Sequence, residues 1–335
     1  MQHFKGSLII TALGLTLALY IGGVSALYIV ALLAILEISL SFDNAVVNAK
    51  VLENMEEKWQ ERFITYGMLI AVFGMRFAFP IVIVAIASGS SIGETFTLAL
   101  NDSESYHTQL LNVEQLIFAF GGSFLLMVFL NFILDTEREE KWIKSIENSK
   151  IITRMSQSSS MQMIIALLVG LMLFIATTFN ETLGYQVTVA YFTGVLLYSL
   201  VASLDNVFSS NGVRSGIMGF LYLEVLDASF SFDGVIGAFA LSSDIFIIMI
   251  GLGIGAMFVR SLTIYMLKKK TLTEYRYLEH GAHYAVLALA LIMLIKIFFH
   301  IDEIIVGTVG ITFIAIAAYH SIQANKTPIT IKANN

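Results

Sequence analysis

Glu37 and Asp43 stand in ILEISLSFDNAVVNAK, residues 35–50, among Ser39, Ser41, Asn44 and Asn48 and inside an otherwise apolar run. Carboxylates at membrane depth cost several kcal/mol unless they bind a cation, meet water or pair with a base. The pattern recurs. EISLSFDNAV (37–46) aligns with DASFSFDGVI (227–236), each an acid followed by Ser-x-Ser-Phe-Asp. The next apolar segment in each case carries a lone arginine, Arg76 in GMRFAF and Arg260 in FVRSLT. The candidate cation ligands are therefore Glu37, Ser41, Asp43 and Asn44 from the first copy and Asp227, Ser231 and Asp233 from the second. Glu224 and Asp205 are additional acids, and Arg76 and Arg260 are positioned to balance charge. An oxygen-rich set in a chain with no cysteine suits Mn²⁺, Ca²⁺ or Mg²⁺ better than Zn²⁺ or Cu⁺.

Helical geometry sorts these residues. At about 100° per residue, Glu37, Ser41, Asn44 and Asn48 form one stripe. Asp227, Ser231 and Gly234 form its counterpart, joined by Glu224. Asp43 and Asp233 lie about 120° off their stripes by the same geometry. Either both helices unwind near Ser-Phe-Asp, as serine pairs allow, or each Asp faces a different neighbour. A third, weaker match, SLVASLDNVFSS (199–210), lacks the preceding acid. Its Asp205 either adds a ligand or caps a helix.

The elements that must position these groups follow from composition. The 335 residues are 57% hydrophobic and 13% charged, with a mean hydropathy of +0.80. Soluble domains carry about 25% charged residues, so the expected class is an all-α polytopic bundle. Apolar windows of about 20 residues predict ten spans: 7–23, 26–50, 63–88, 113–135, 161–180, 186–208, 216–241, 244–268, 280–300 and 303–324. The first is short and can pair with the second as a hairpin. Lys5 and Val24-Ser25-Ala26 resemble a signal peptide and its cleavage site, but a second apolar segment follows at once, so a retained first helix is expected.

Lys and Arg fall in loops 51–62, 136–160, 209–215 and 269–279 and at both termini, and are absent from the intervening loops. The positive-inside rule then places both termini in the cytoplasm, and the expected location is a bacterial inner membrane. Five spans separate the two acid motifs, so the copies have opposite orientation. Two inverted five-helix repeats within one membrane domain are predicted, 1–160 leading into 161–335. This is a common plan of secondary transporters, with the ion site near the midplane.

Other classes are disfavoured. No His-Glu-x-x-His or Gly-x-Ser-x-Gly occurs, so no metalloprotease or serine hydrolase is expected, and no enzyme at all. His280 and His283 read as a polar interface. The single lysine run, Lys268-Lys269-Lys270, ends an apolar helix and is a cytoplasmic flank, not a nucleic-acid patch. No prosthetic group is expected. The partners are the bilayer and a metal ion carried as substrate, with homo-oligomerisation left open.

LEISLSFDNAVV (36–47), GMLIAVFGMRFAF (67–79), LDASFSFDGV (226–235), Asp244-Ile245-Phe246, Arg260 and LIKIFFH (294–300) together resemble the TerC family of integral membrane proteins, in a branch catalogued as a domain of unknown function. The resemblance spans nearly the whole chain. It implies export of a divalent metal, chiefly manganese, with the paired acids as ligands. Gly234 departs from the Ser or Asn frequent at that place, and Glu224 is an extra acid. A scaffold whose buried acids only glue helices together is the alternative reading.

Overall fold

A computed structural model describes residues 2–158, 160–178, 181–208, 216–239, 241–242 and 244–326, with the side chains of 2, 64, 68, 71, 181–183, 205–208, 232, 233 and 303 outside that description. Among the described residues the regular structure is entirely helical. Along the chain come α1 (Lys5–Leu40), α2 (Phe42–Glu53), α3 (Glu57–Leu69), a π-helical stretch (Ile70–Ala78), α4 (Phe79–Ser88) and α5 (Ile92–Asn101). Then follow α6 (Ser103–Ile133), the short α7 (Lys144–Glu147) and α8 (Lys150–Met155), α9 (Met161–Thr177) and α10 (Glu181–Phe208). The remainder is α11 (Gly216–Phe239), α12 (Ile245–Lys269), α13 (Thr271–Glu274), α14 (Leu278–Lys296) and α15 (Glu303–Lys326).

Six of the described helices are long and apolar enough to cross a bilayer, and the pair Glu57–Gly67 and Val72–Ser88, bent by 48°, makes a seventh. The sequence predicts ten. Three physical features account for the difference. Two predicted spans lie within α1 and its continuation α2. α9 has 17 residues, short of a full span. α11 carries Glu224, Asp227 and Asp233, which offset its hydropathy although the helix sits in the core.

α1 is a hairpin in its contacts. Gly22 and Gly23 leave helical geometry, and Gly23 has φ 67°, a conformation open to glycine at little cost. On the first limb Ser7 bonds the Met257 carbonyl at 3.0 Å and meets Ser261, Gly14 lies against Ile250 and Ile254, and Gly22 approaches Ile247. On the second limb Leu33 lies against Gly251 and Glu37 against Gly255. The partners on α12 thus run from 261 down to 247 and back up to 255, so the two limbs flank α12 in opposite directions. Gly251 and Gly255 form a Gly-x-x-x-Gly surface, which lets helix backbones approach closely. A Cβ at Gly251 would stand 2.5 Å from that of Leu33.

The other centre is α6, which packs against α10, α14 and α11. Between α4 and α6 the sequence reading has only a loop, 89–112. The chain instead forms α5, started by a capping box in which Ser91 and Glu94 satisfy one another's backbone. Those hydrogen bonds hold the exposed Glu94 carboxyl below its ordinary range. Before α4 the helix widens into the π form. Pro80 lacks an N–H and its ring crowds the carbonyl four residues back, that of Arg76. The Phe79 N–H accordingly bonds the Gly74 carbonyl, five residues back.

Candidate functional site

The helix carrying the first motif breaks for one residue, Ser41, at φ −106° and ψ 17°, between α1 and α2. The second motif lies within the continuous α11. Unwinding therefore occurs in one copy only. The stripe survives the break. Glu37, Ser41, Asn44 and Asn48 are all at most 3% exposed. They face α11 in antiparallel order, with Glu37 Oε2 at Gly234 and Asn48 Nδ2 donating to Asp227 Oδ1 at 2.6 Å.

Both arginines are buried here, Arg76 at 4% and Arg260 at 6% exposed. Arg76 forms an ion pair with Glu37 Oε1, which also accepts from Ser41 Oγ at 3.0 Å. Arg76, Asn44, Asn48, Asp227, Arg260 and Thr263 line one small cavity of about 10 Å³, room for a single water-sized species. The Arg260 guanidinium lies 3.9 Å above the Phe63 ring. A Cβ at Gly67 would stand 2.6 Å from Arg260 Nη2 and 2.7 Å from Glu224 Oε1, so Gly67 opens the space those two groups share.

Several of these atoms have no hydrogen-bond partner among the described residues: Asn44 Oδ1, Asn48 Oδ1, both carboxylate oxygens of Glu224, Ser231 Oγ, and Nη1 and Nη2 of Arg260. Each such orphan costs about 1–3 kcal/mol unless a water or ion satisfies it. The orphaned acceptors are hard oxygens. On α1, α2 and α11 the buried acids with described side chains are Glu37, Asp43, Glu224 and Asp227, and the arginines buried beside them are Arg76 and Arg260.

Among the described residues no three acidic or histidine side chains stand close enough to hold a metal together. Asp43 is 3% exposed and accepts from the Asn44 backbone N–H at 3.0 Å, but it does not line the cavity with Asp227. This agrees with its place off the stripe. The side chains of Asp233 and Asp205 lie outside the described residues. Asn48, on the predicted stripe but not among the predicted ligands, is the side chain that meets Asp227.

Two further polar groups lie away from this cavity. In the segment after α6, Glu147 is buried and bonds Arg138 Nη2 at 3.1 Å, the Ile143 N–H at 3.1 Å and the Tyr284 hydroxyl at 3.4 Å. His280 Nε2 donates to the Glu140 carbonyl at 2.9 Å. The predicted histidine interface is thus part of a buried clamp on the 136–149 segment. Near the far end of α14, Glu114, Lys296 and His300 line a separate cavity of about 170 Å³. Nothing in the local sequence pattern distinguishes either group from ordinary loop charges.

A family model described as Protein of unknown function (DUF475) matches residues 42–328. The chain belongs to this family. The matched stretch of the DUF475 member holds Asp43, Asn44, Asn48, Arg76, Glu224, Asp227, Asp233 and Arg260, and begins just after Glu37 and Ser41. No curated protein and no solved structure matches the chain.

Proposed function

We propose that this DUF475 member is a multi-pass membrane transporter that exports a divalent cation, Mn²⁺ first and Ca²⁺ second, by the plan that its resemblance to TerC proteins implies. The observation that carries the reading is the pair of orphaned amide oxygens of Asn44 and Asn48 beside the Asp227 carboxylate. They are buried where two acid-bearing stripes lie antiparallel. Ca²⁺ takes 6–8 oxygens, and carboxylates, amide carbonyls and water all serve hard divalent ions. Asn44, Asn48 and Asp227 supply such ligands on one side and Glu37 with Ser41 on the other. Arg76 sits between the two groups, lining the cavity and paired with Glu37. It holds the charge of the site when cargo is absent and yields Glu37 when cargo binds. Asp43 and Asp233 complete the ligand set in a second state of the transporter. The antiparallel stripes are the core of two inverted repeats, and the chain resides in a bacterial inner membrane with both termini cytoplasmic.

One observation favours the second reading, a scaffold. Glu37 and Asp227 already have partners in Arg76 and Asn48, as structural glue would. Flux separates the two readings. Purified protein in liposomes should carry Mn²⁺ down its gradient, and Asp43→Asn, Asp227→Asn and Asp233→Asn should each abolish that flux at equal incorporation. Flux equal to wild type in all three variants removes the transporter reading and leaves the scaffold.

A further inference from the structure

We infer that Gly234 sets the position at which Glu37 presents its carboxylate to the cation, and so selects which cation the site accepts; the inference rests on the transporter reading above. Glu37 occupies a slot with three walls. At its stem, a Cβ on Gly255 would stand 2.5 Å from Glu37 Cβ and 2.6 Å from Cγ. At its side, Arg76 and Ser41 both hold Oε1. At its tip, a Cβ on Gly234 would stand 2.9 Å from Oε2. Stem and one oxygen are thus fixed, and the second oxygen fills the volume that a side chain at 234 would take. The next atom near that volume is Leu40 Cδ1, at 3.9 Å, so Glu37 is the group a new side chain meets.

Glycine is present at 234 against local preference. α11 is helical through this position, where alanine is the better helix former. The equivalent position in the first motif is Asn44, which lines the cavity and whose buried amide oxygen has no hydrogen-bond partner among the described residues. The two copies are therefore not equivalent at this point. One offers its own amide, and the other gives up its side chain so that a carboxylate from the opposite copy can enter. Ion selection between Mg²⁺-like and Ca²⁺-like cations depends on ligand distance, at 2.0–2.1 Å against 2.3–2.6 Å in general. A carboxylate displaced by a few tenths of an ångström changes that choice.

The slot gives a compensation test. Gly234→Ala pushes the carboxylate away, whereas Glu37→Asp withdraws it by one carbon–carbon bond, about 1.5 Å. In proteoliposomes each single variant should raise the KM for Mn²⁺ about tenfold and alter the Mn²⁺ to Ca²⁺ ratio, and the double variant should return to within about threefold of wild type. Mn²⁺-induced thermal stabilisation of the purified protein supplies a second readout. A Gly234→Ala protein that folds only in the Glu37→Asp background also supports the slot. With a responsive wild type, a Gly234→Ala variant unchanged in KM and ion ratio overturns the inference and leaves the cation reading standing. So does a double variant as impaired as the two singles combined, or failure of both Gly234→Ala proteins to fold. A wild type with no Mn²⁺ response overturns the cation reading, and this inference with it.

Discussion

Replacing Arg76 by methionine keeps most of the side-chain length and removes the charge. Glu37, 1% exposed, then keeps Ser41 as its hydrogen-bond donor at 3.0 Å and loses its ionic partner. Removing one member of a buried ion pair costs about 3–5 kcal/mol, or roughly 10² to 10⁴ in the unfolding constant at about 1.4 kcal/mol per decade. Adding Glu37→Gln removes the stranded charge and should recover about half of that loss or more. Recovery is incomplete because Arg76 also lines the cavity that holds Asp227. Cargo makes the sign specific. On the proposed transporter reading, a divalent cation in the wild type must take Glu37 from Arg76, whereas in Arg76→Met it supplies the missing positive charge. Mn²⁺ should therefore stabilise the variant more than the wild type. Each tenfold gain in affinity adds about 1.4 kcal/mol at saturating metal. The assay is reversible unfolding of detergent-solubilised protein with and without Mn²⁺, comparing wild type, Arg76→Met, Glu37→Gln and the double variant. An Arg76→Met protein as stable as wild type, with the same Mn²⁺ response, would refute the idea that this arginine holds the charge of the site.

Three further outcomes are expected. Asn48→Ala should reduce Mn²⁺ flux less than Asp227→Asn does, because it removes one neutral oxygen and a charge-assisted hydrogen bond worth about 1.5–3 kcal/mol; equal loss in both would place Asn48 on a par with the acid. Glu147→Gln should lower stability by about 1–3 kcal/mol and quicken trypsin cleavage at Lys141 and Lys144, and an unchanged digestion pattern would show that the clamp does not hold the segment. A cysteine placed at Lys144 in this cysteine-free chain should resist an impermeant thiol reagent applied outside intact cells while one at Glu104 reacts, and the reverse pattern would invert the topology.

What the sequence reveals here is what periodicity controls. The stripe from Glu37 to Asn48 depends on side-chain type at helical spacing, and a one-residue break at Ser41 does not disperse it. The hairpin at Gly22-Gly23 follows from two glycines between apolar runs. Long-range choices leave weaker marks. The duplicated Ser-Phe-Asp leaves open whether both copies unwind or each Asp faces a different neighbour, and α11 stays helical through its copy, next to a glycine that makes room for the other copy's acid. The six-residue spacing shows that Asp43 leaves the stripe without showing where it goes. Glu147 looks like one acid among many in a charged loop, and only the return of α14 beneath that loop buries it. The π-helical turn before Pro80 depends on a single imino acid, and that signal alone also fits a simple kink.

The hairpin of α1 has a consequence for the order of synthesis. Ser7 bonds a residue 250 positions later in the chain. At about 5–20 residues per second, the ribosome reaches that partner roughly 12–50 s after it has made Ser7. The glycines that enclose Glu37, at 234 and 255, arrive in the same late interval. Arg76 follows Glu37 by only 39 positions, which at that rate is roughly 2–8 s. For most of translation the acid therefore has its arginine and not its slot, so the ion pair is the means by which a carboxylate waits in the bilayer. Nascent chains arrested before residue 245 should accordingly retain the first hairpin in the membrane with Arg76 present and lose it more readily with Arg76→Met, as alkali extraction of the arrested chains would show.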